Sequence, residues 1–370
     1  MTAGLDRDVA FEGYDRGERG VGVRDRVLVL PSVICSREVA DRIADAVTGA
    51  ASAPHDHGCA QIGDDKDQTG RAFLGIGSNP NVAGTVVVGL GCESVQSDEV
   101  AAGLEERDVP VHEVTIQDTG GTEACVEAGV EAAESLQRDA TARRTADGSA
   151  LTVGVVSGDV TETTRETADP LVGAFVDRVV AAGGRVVVAG TERVLAHPDD
   201  AAERAATDAV AAALRDLAES YRGQPARARG VARAAAERDF AAVTEAWGVQ
   251  PVRDTLAYGE RATHDRGLAL VDAPSRFEEA ATALAAAGAQ VVVHVTGQGV
   301  PTGHPVVPVC KVSGDAETLA AVGGDVDVDA RTTTPADLLS TVRAVADGDP
   351  TCAEEHGLTS MAITRVGPSM

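Results

Sequence analysis

Imidazole, thiol and carboxylate side chains are concentrated in one short segment of the chain, His55-Asp56-His57-Gly58-Cys59. Neutral imidazole and thiolate groups are good ligands for iron and zinc, and the neighbouring glycine gives the backbone freedom to arrange them. The segment therefore favours a transition-metal site. The alternative is structural, with Cys59 as a small buried side chain and both histidines as surface residues.

A thiol and a carboxylate also follow a strongly apolar run, in the segment Gly89-Leu90-Gly91-Cys92-Glu93. The two glycines would let the backbone approach a ligand, and Cys92 and Glu93 would then face the same crevice. In the alternative interpretation, the segment is a tight turn in which Glu93 stabilises the N-terminus of the next helix. The residues alone leave both interpretations open.

Two further segments carry groups that bind anions. Gln117 and Asp118 end a β-branched run, and the following Gly120-Gly121-Thr122 leaves free backbone N–H groups at the start of a helix. The segment 296–305 (TGQGVPTGHP) is either a stiff, amide-exposing loop that could cradle a carboxylate or a solvated turn. Lys311 follows it and is one of two lysines in the chain, which favours a specific role for its ammonium group.

Short β-branched runs such as Arg26–Pro31 alternate with amphipathic segments, which predicts an α/β fold with mainly parallel sheets flanked by helices. The polar segment 139–149 is predicted to link two lobes, 1–138 with the metal and active-site loops and 150–370 with the substrate loop. The stretch 198–247 predicts a pair of helices. Ligands of parallel sheets bind beyond the carboxyl ends of the strands, where all four chemical segments are expected to lie.

The 370 residues include 58 acidic and 32 basic side chains, which give a formal net charge of −26. Such a charge repels phosphate backbones and anionic lipids, so it argues against nucleic-acid binding and membrane association. The acidic surface and the scarcity of lysine are typical of proteins from salt-loving organisms.

Several motifs are absent from the sequence. No apolar stretch reaches the length of a membrane span, and the six dispersed cysteines match neither a zinc ribbon nor a disulfide scaffold. The GxGxxG, GxSxG and HExxH motifs are missing as well, which argues against dinucleotide-dependent, serine-hydrolase and zinc-protease chemistry. The sequence therefore predicts a cytoplasmic protein with reduced thiols.

Taken together, the motifs resemble those of the altronate and galactarate dehydratases, a family that includes sulfolactate sulfo-lyase. The resemblance covers nearly the whole chain. The shared segments are 11–16 (FEGYDR), 20–24 (GVGVR), 30–33 (LPSV), 54–59 (PHDHGC), 63–65 (GDD), 79–81 (NPN), 89–93 (GLGCE), 116–117 (IQ), 120–122 (GGT), 296–297 (TG) and 301–303 (PTG). The resemblance implies an enzyme that removes water from a sugar acid to give a 2-keto-3-deoxy acid. It also implies a metal cofactor, Fe²⁺ or another divalent ion such as Mn²⁺ or Mg²⁺.

The resemblance also implies roles for individual residues. The metal ligands would be His55, Cys59 and Cys92, and His57 is added to them for its own chemistry. The acid–base residues would be Glu93 and Asp118. The residues that hold the carboxylate and hydroxyl groups of the substrate would be Arg24, Gln117, Thr302, Gly303 and Lys311, and Lys311 is also counted as catalytic.

Two segments depart from the family pattern. The family has KCGGSD where this chain has GVVSGD at 154–159, and EEKSxG where this chain has TEAWG at 244–248. Both family lysines are missing, so the resemblance does not identify the catalytic base. These departures leave open a changed substrate or a non-catalytic binding or regulatory chain.

Two more hypotheses concern the leaving group and the metal. The leaving group could be sulfite from a sulfonated hydroxy acid rather than water, since both eliminations need the same stabilised enediolate. The metal could be held in an iron–sulfur site formed by Cys59, Cys92 and Cys125, although Cys125 is predicted to lie within a helix.

The resemblance extends to partners. Some family members carry a small domain before the opening motif, and others have it as a separate subunit. Here Gly13-Tyr14 follows only twelve residues, so we expect a separate small subunit of about 100 residues, a typical small-domain size. A homo-oligomer is also compatible with the sequence.

Overall fold

A computed structural model of the protein describes residues 10–138 and 142–367. The strands are β1 (Phe11–Asp15), β2 (Val21–Gly22), β3 (Arg26–Pro31), β4 (Ala50–Ser52), β5 (Val82–Gly89), β6 (Val111–Thr115), β7 (Arg143–Ala146), β8 (Thr152–Ser157), β9 (Arg185–Val188), β10 (Val252–Leu256), β11 (Gly267–Val271), β12 (Val291–Val295), β13 (Val309–Ser313) and β14 (Val328–Asp329). The α-helices are α1 (Arg37–Ala46), α2 (Gly63–Gly77), α3 (Ser97–Glu105), α4 (Thr122–Arg138), α5 (Asp169–Ala181), α6 (Thr191–Ala196), α7 (Pro198–Glu203), α8 (Asp208–Ser220), α9 (Arg229–Ala236), α10 (Phe240–Val243), α11 (Phe277–Ala286), α12 (Ala316–Val322), α13 (Pro335–Asp347) and α14 (Cys352–Glu355).

Two parallel sheets organise these elements. The first has the strand order β4-β3-β5-β6, and the second has the order β10-β11-β9-β8-β12-β13-β14. The strand pairs of both sheets are parallel, and helices connect and cover them. The predicted α/β class with mainly parallel sheets is therefore confirmed.

Strand β3 shows why these segments become central strands. Val27 and Val29 face one side and pack in a core with residues of α1 and α4. Leu28 and Leu30 face the other side and join the core between the two sheets. A strand covered on both faces needs apolar residues at successive positions, and the sequence RVLVLP provides them.

Helices α2 and α11 pack closely where the two sheets meet. A Cβ atom on Gly75 would lie 2.7 Å from the Cβ atom of Ala286, so only glycine fits there. Asn79 reinforces the contact, because its Nδ2 donates to the carbonyl oxygens of Ala285 and Ala289 at 2.7 and 2.8 Å. The N-terminal and C-terminal halves therefore share one core.

The segment predicted as a linker contains a strand. Arg143–Ala146 forms β7, which pairs antiparallel with β1 so that Ala146 lies opposite Phe11. Backbone hydrogen bonds to β1 hold β7 in place although three of its four side chains are exposed. Such an edge strand has no hydrophobic periodicity to recognise. Residues 139–141 lie outside the described residues. The division of the chain into two lobes joined by this segment stays a prediction.

The stretch predicted as one helix pair is divided further. It contains α7, α8, α9 and α10, followed by a 3₁₀ turn at Glu245–Trp247. Thr207 is the N-cap of α8, because its side chain accepts a hydrogen bond from the N–H of Val210. The helices found in residues 10–138 and 142–367 all lack the length and apolar content needed to cross a bilayer.

Candidate active site

Three loops meet at the carboxyl edge of the four-stranded sheet. They follow β3 (residues 32–36), β4 (residues 53–62, the histidine loop) and β5 (residues 90–96, the Glu93 loop). The N–H of Ile34 donates to the carbonyl of His57, and the N–H of Ser94 donates to the carbonyl of Gly58, both at 2.8 Å. Gly58 has a φ of +91°, and a Cβ atom there would lie 2.0 Å from the Ser32 carbonyl oxygen. The glycine is therefore required for the loops to meet.

His55 is buried in the histidine loop and uses both ring nitrogens within the protein. Its Nε2 lies 2.6 Å from the carbonyl oxygen of Pro31, and its Nδ1 accepts the N–H of His57 at 3.1 Å. Burial lowers the pKa of His55 to about 4, so the ring is neutral at pH 7. The Phe73 ring packs against it at a centroid distance of 4.7 Å.

His57 connects the histidine loop to the C-terminal tail (residues 359–365). Its Nε2 lies 2.8 Å from the carbonyl oxygen of Ile363, and its Nδ1 lies 3.2 Å from Nε2 of Gln61. Burial also lowers the pKa of His57. Both of its ring nitrogens are therefore engaged, as those of His55 are.

The predicted metal ligands do not form a metal site in this arrangement. Cys59 and Cys92 are exposed on neighbouring loops, while both histidines make the hydrogen bonds described above. Across the described residues, no group of three or more His, Cys, Asp or Glu side chains is placed to hold a metal ion. Cys125 is buried on α4, unlike Cys59 and Cys92. These residues are therefore not gathered into one cluster among the described residues, and both the metal ligands and the cofactor stay predictions.

Glu93 is bonded to its own loop. Its carboxylate accepts the N–H groups of Leu90, Gly91 and Cys92 at 2.7–3.2 Å, and the hydroxyl of Ser32 at 2.8 Å. Burial by itself would raise the pKa of Glu93, but these hydrogen bonds outweigh burial and lower it. An ionised carboxylate therefore orders the loop, and the acid–base role of Glu93 stays a prediction.

The third sequence segment lies beside the Glu93 loop. Gln117 and Asp118 are exposed after β6, and the N–H of Gln117 donates to the carbonyl of Leu90 at 3.3 Å. The Gln117 side chain fills the space beside Gly91, where a Cβ atom would lie 2.7 Å from its Oε1. The structure thus brings together the three segments that contain the histidine loop, Glu93 and Gln117.

The remaining predicted residues lie elsewhere. Arg24 makes an ion pair with Glu354 at 2.8 Å, and Glu354 also pairs with Arg26. Burial opposes ionisation of Glu354, but Arg24 and Arg26 outweigh it and lower its pKa to about 2. Lys311 is fully buried in β13. Its backbone N–H donates to Asp327, while its buried Nζ has no hydrogen-bond partner among the described residues. Neither Arg24 nor Lys311 lines the cavity described next.

Thr302 and Gly303 lie beside the C-terminal tail. Thr302 is half-buried, and Gly303 is buried. The N–H of Gly303 donates to the carbonyl of Leu358 at 2.8 Å, and its carbonyl accepts the N–H of Ser360 at 3.0 Å. These backbone bonds hold the tail against the loop that carries Thr302 and Gly303.

A cavity of about 670 Å³ lies between the histidine loop, the C-terminal tail and the start of α11. We call it the arginine cavity. The charged residues that line it are Arg37, Asp56, Arg227, Arg276, Glu279 and Arg365. His55 and His57 line it as well. Four arginines face two carboxylates, so the cavity is electropositive in a chain with a net charge of −26.

The guanidinium of Arg227 contacts Tyr221 and Asp272, neither of which lines the arginine cavity. Its guanidinium stacks on the Tyr221 ring at 4.6 Å and lies 3.9 Å from a carboxylate oxygen of Asp272. Within the part of the chain that the structure describes, its Nη1 has no hydrogen-bond partner although that atom is buried. That atom is the one nearest Asp272, and the guanidinium as a whole adds its positive charge to the cavity that Arg227 lines.

Sequence reasoning missed the arginine cavity and the charged residues that define it. Arg37, Arg227, Arg276, Glu279 and Arg365 come from four separate stretches of the chain, and none belongs to a local motif. The exposed loop residues of the C-terminal half offered no periodic signal. Only the folded contact between the histidine loop and the tail brings these residues together.

Comparison with known proteins places the chain in a family. A sequence model described as D-galactarate dehydratase/altronate hydrolase, second domain, matches residues 13–141. A second, described as D-galactarate/altronate dehydratase, C-terminal, matches residues 148–369. Together they confirm the resemblance inferred from the motifs.

Curated relatives agree with this result. An altronate dehydratase of Bacillus subtilis is 30% identical over 337 residues, which cover 84% of this chain and 67% of the relative. An altronate dehydratase of Escherichia coli is 28% identical over 99% of this chain and 79% of the relative. A (2R)-sulfolactate sulfo-lyase subunit beta of Chromohalobacter salexigens is 27% identical over 96% of this chain and 97% of the relative. The chain belongs to the D-galactarate/altronate dehydratase family.

Proposed function

We propose that this chain is a lyase that removes water from a sugar acid and gives a 2-keto-3-deoxy acid, with the arginine cavity as its substrate site. The observation that carries the proposal is the meeting of four arginines in one cavity of a strongly acidic protein. Arginine binds carboxylates through paired, charge-assisted hydrogen bonds, and the substrate of such an enzyme is an anion.

The chemistry of elimination explains what the cavity must supply. A proton next to a carboxylate is weakly acidic, and its removal places a second negative charge on the carboxylate oxygens. Arg227 and Arg276 line the cavity, and we expect their guanidinium groups to stabilise that charge. Thr359, Ser360 and Thr364 line the same cavity and carry hydroxyl groups that suit the hydroxyl groups of a sugar acid.

Release of sulfite from a sulfonated hydroxy acid is a second candidate. It is favoured by the relative named (2R)-sulfolactate sulfo-lyase subunit beta, of which this chain covers 97%. A sulfonate is also an anion with oxygens that arginine binds, so the same cavity suits it. The two reactions differ in the leaving group, which is sulfite in this case and water in the first.

We also propose a separate small subunit. The word "subunit" in that relative's name supports it, and a partner over the cavity would exclude water from the forming enediolate. Co-purification from the native host should recover the small subunit. Addition of the purified subunit should then raise the turnover of this chain. Full activity of the isolated chain, with no partner recovered, would contradict the proposal.

A product screen tests the reaction. The purified chain is incubated without oxygen with aldonates, aldarates and sulfolactate, each in parallel without added metal and with Fe²⁺, Mn²⁺ or Mg²⁺. We expect a 2-keto acid from at least one sugar acid, and the parallel arms test the metal dependence that the family resemblance implies. Sulfite from sulfolactate would favour the second candidate. No product from any acid in any arm would favour a non-catalytic binding or regulatory chain.

A further inference from the structure

We propose that Glu279 is the residue that takes the proton from the substrate and returns it to the leaving hydroxyl group. The inference rests on the proposed elimination reaction and names the acid–base residue that the family resemblance leaves unidentified. Its basis is the position of one buried carboxylate in the wall of the arginine cavity.

Glu279 lies on the first turn of α11 and is buried, with 8% of its surface exposed. Its Oε1 pairs with Nη1 of Arg276 at 2.9 Å. Its Oε2 is buried and has no hydrogen-bond partner among residues 10–138 and 142–367. The last side-chain torsion of glutamate is broad, so rotation can exchange the two oxygens.

The other titratable groups that line the arginine cavity are already engaged. Both ring nitrogens of His55 and of His57 make hydrogen bonds within the protein. Asp56 is exposed and lies 3.6 Å from Arg37. Glu279 therefore combines burial in the cavity wall with a carboxylate oxygen, Oε2, that no ion pair holds among the described residues.

The electrostatic surroundings suit a group that exchanges protons near neutral pH. Burial raises the pKa of Glu279, and Arg276 and Arg227 act in the opposite direction. The nearby Thr364 hydroxyl also lowers this pKa, more weakly than the two arginines, and the Glu278 carboxylate raises it. Burial is the largest contribution, so the pKa is raised overall. A carboxyl group with a raised pKa is a stronger base when ionised and remains able to donate once protonated. The hydroxyl of Tyr258 donates to the backbone carbonyl of Glu279 at 2.8 Å and fixes the start of the helix.

The proposed step balances with this single carboxyl group. The ionised carboxylate accepts the proton on the carbon next to the substrate carboxylate, the C–H bond breaks, and its electron pair moves into the carboxylate as an enediolate. The enediolate then expels the hydroxyl group of the next carbon along the chain. This group takes the proton back from Glu279 and leaves as water. The resulting enol rearranges to the 2-keto acid, and Glu279 is ionised again.

Three variants test the assignment on the full chain. Glu279→Gln removes the base with little change in shape, Glu279→Asp restores a carboxylate at a shorter reach, and Glu278→Gln is the matched control. Glu278 is the neighbouring glutamate on the same helix turn and does not line the cavity. Turnover is measured with the acid that the wild type converts, binding of that acid by calorimetry, and folding by thermal unfolding.

We expect Glu279→Gln to lower kcat about 10²- to 10⁴-fold, the usual contribution of general acid–base catalysis, with little change in KM or in calorimetric affinity. Glu279→Asp should recover part of the loss, and Glu278→Gln should stay within a few-fold of the wild type, because Glu278 contributes least among the groups that shift the pKa of Glu279. An active wild type with more than a tenth of its kcat left in Glu279→Gln would overturn this assignment and leave the proposed function standing. Loss of binding together with turnover would mean a structural role and would also overturn it. A wild type that converts none of the acids would overturn the proposed function itself.

Discussion

The loops at the carboxyl edge of the four-stranded sheet and the arginine cavity are neighbours, but their polar groups are satisfied differently. In the loops, the side chains of His55, His57 and Glu93 make hydrogen bonds to backbone groups of the protein. In the cavity, Oε2 of Glu279 has no hydrogen-bond partner within the described parts of the chain, and Nη1 of Arg227 lies 3.9 Å from Asp272 without a hydrogen bond. Buried polar groups are normally paired, so under the proposed function the loops are a framework and the substrate completes the cavity.

The comparison teaches that the type of a residue does not by itself give its role. Imidazole and carboxylate groups can hold loops together as readily as they can bind a metal or move a proton. The framework nevertheless serves the site, because His57 bonds to the tail that forms the opposite wall of the cavity.

Replacement of Arg227 should give the largest effect among the following tests. We expect Arg227→Met to lower kcat/KM about 100- to 1,000-fold, equivalent to about 3–4 kcal/mol, because it removes a partly buried cation that faces the substrate anion. Steady-state kinetics with the acid found in the product screen would measure the loss.

The control is Arg222→Met, since Arg222 is exposed and does not line the arginine cavity. Thermal unfolding of both variants separates a lost substrate contact from a lost fold. Kinetics of Arg227→Met equal to those of the wild type would remove the cavity from the proposed reaction.

Replacement of His55 tests the framework side of the comparison. The pKa of His55 is lowered from 6.5 to about 4 by burial, so its neutral form stabilises the fold above pH 6.5, and this contribution disappears as the pH falls towards 4. The shift corresponds to about 3 kcal/mol. We expect His55→Ala to lower the free energy of unfolding at pH 7, and the difference from the wild type to shrink between pH 6.5 and 4, as measured by urea titration.

Asp56→Asn is the matched control because Asp56 is the exposed neighbour in the same loop. Iron content is measured in the same preparations. If His55→Ala lost iron but kept the wild-type free energy of unfolding, His55 would be the metal ligand that the family resemblance implies, and the framework interpretation would fail.

The fold could be predicted from the sequence where burial imposes an apolar pattern. The apolar run at β3 predicted that strand with its observed bounds, Arg26–Pro31. Strand β7 could not be predicted in this way, because it is an exposed edge strand with polar side chains. The division of 198–247 into short helices was also missed, because local caps such as Thr207, and not composition, set those boundaries.

The candidate site was predicted only in part, for a related reason. The segments around His55, Cys92 and Gln117 follow parallel strands, so the topology alone places them at one edge. Arg227 and Glu279 belong to elements of the other half, and their meeting with the histidine loop depends on how the halves pack. A local motif contains no information about that packing.

The smallest effect is expected for Glu93, and it bears on the same comparison. Glu93→Gln keeps the shape of the side chain but replaces one carboxylate oxygen by an amide N–H₂. The backbone N–H groups that donate to the carboxylate in the wild type would then face another donor. We expect this to lower the free energy of unfolding by about 1–3 kcal/mol. The pKa of Glu93 in the folded protein is lowered from 4.5, so the ionised side chain stabilises the wild type above pH 4.5. This stabilisation is lost as the pH falls below that value. Urea titrations of the variant and of Glu99→Gln, an exposed control on α3, would measure the difference at pH 7 and at pH 4.

We expect turnover of Glu93→Gln to stay within a few-fold of the wild type, since the carboxylate holds a loop. Abolished turnover at an unchanged free energy of unfolding would instead make Glu93 the acid–base residue and would move the chemistry from the arginine cavity to the loops.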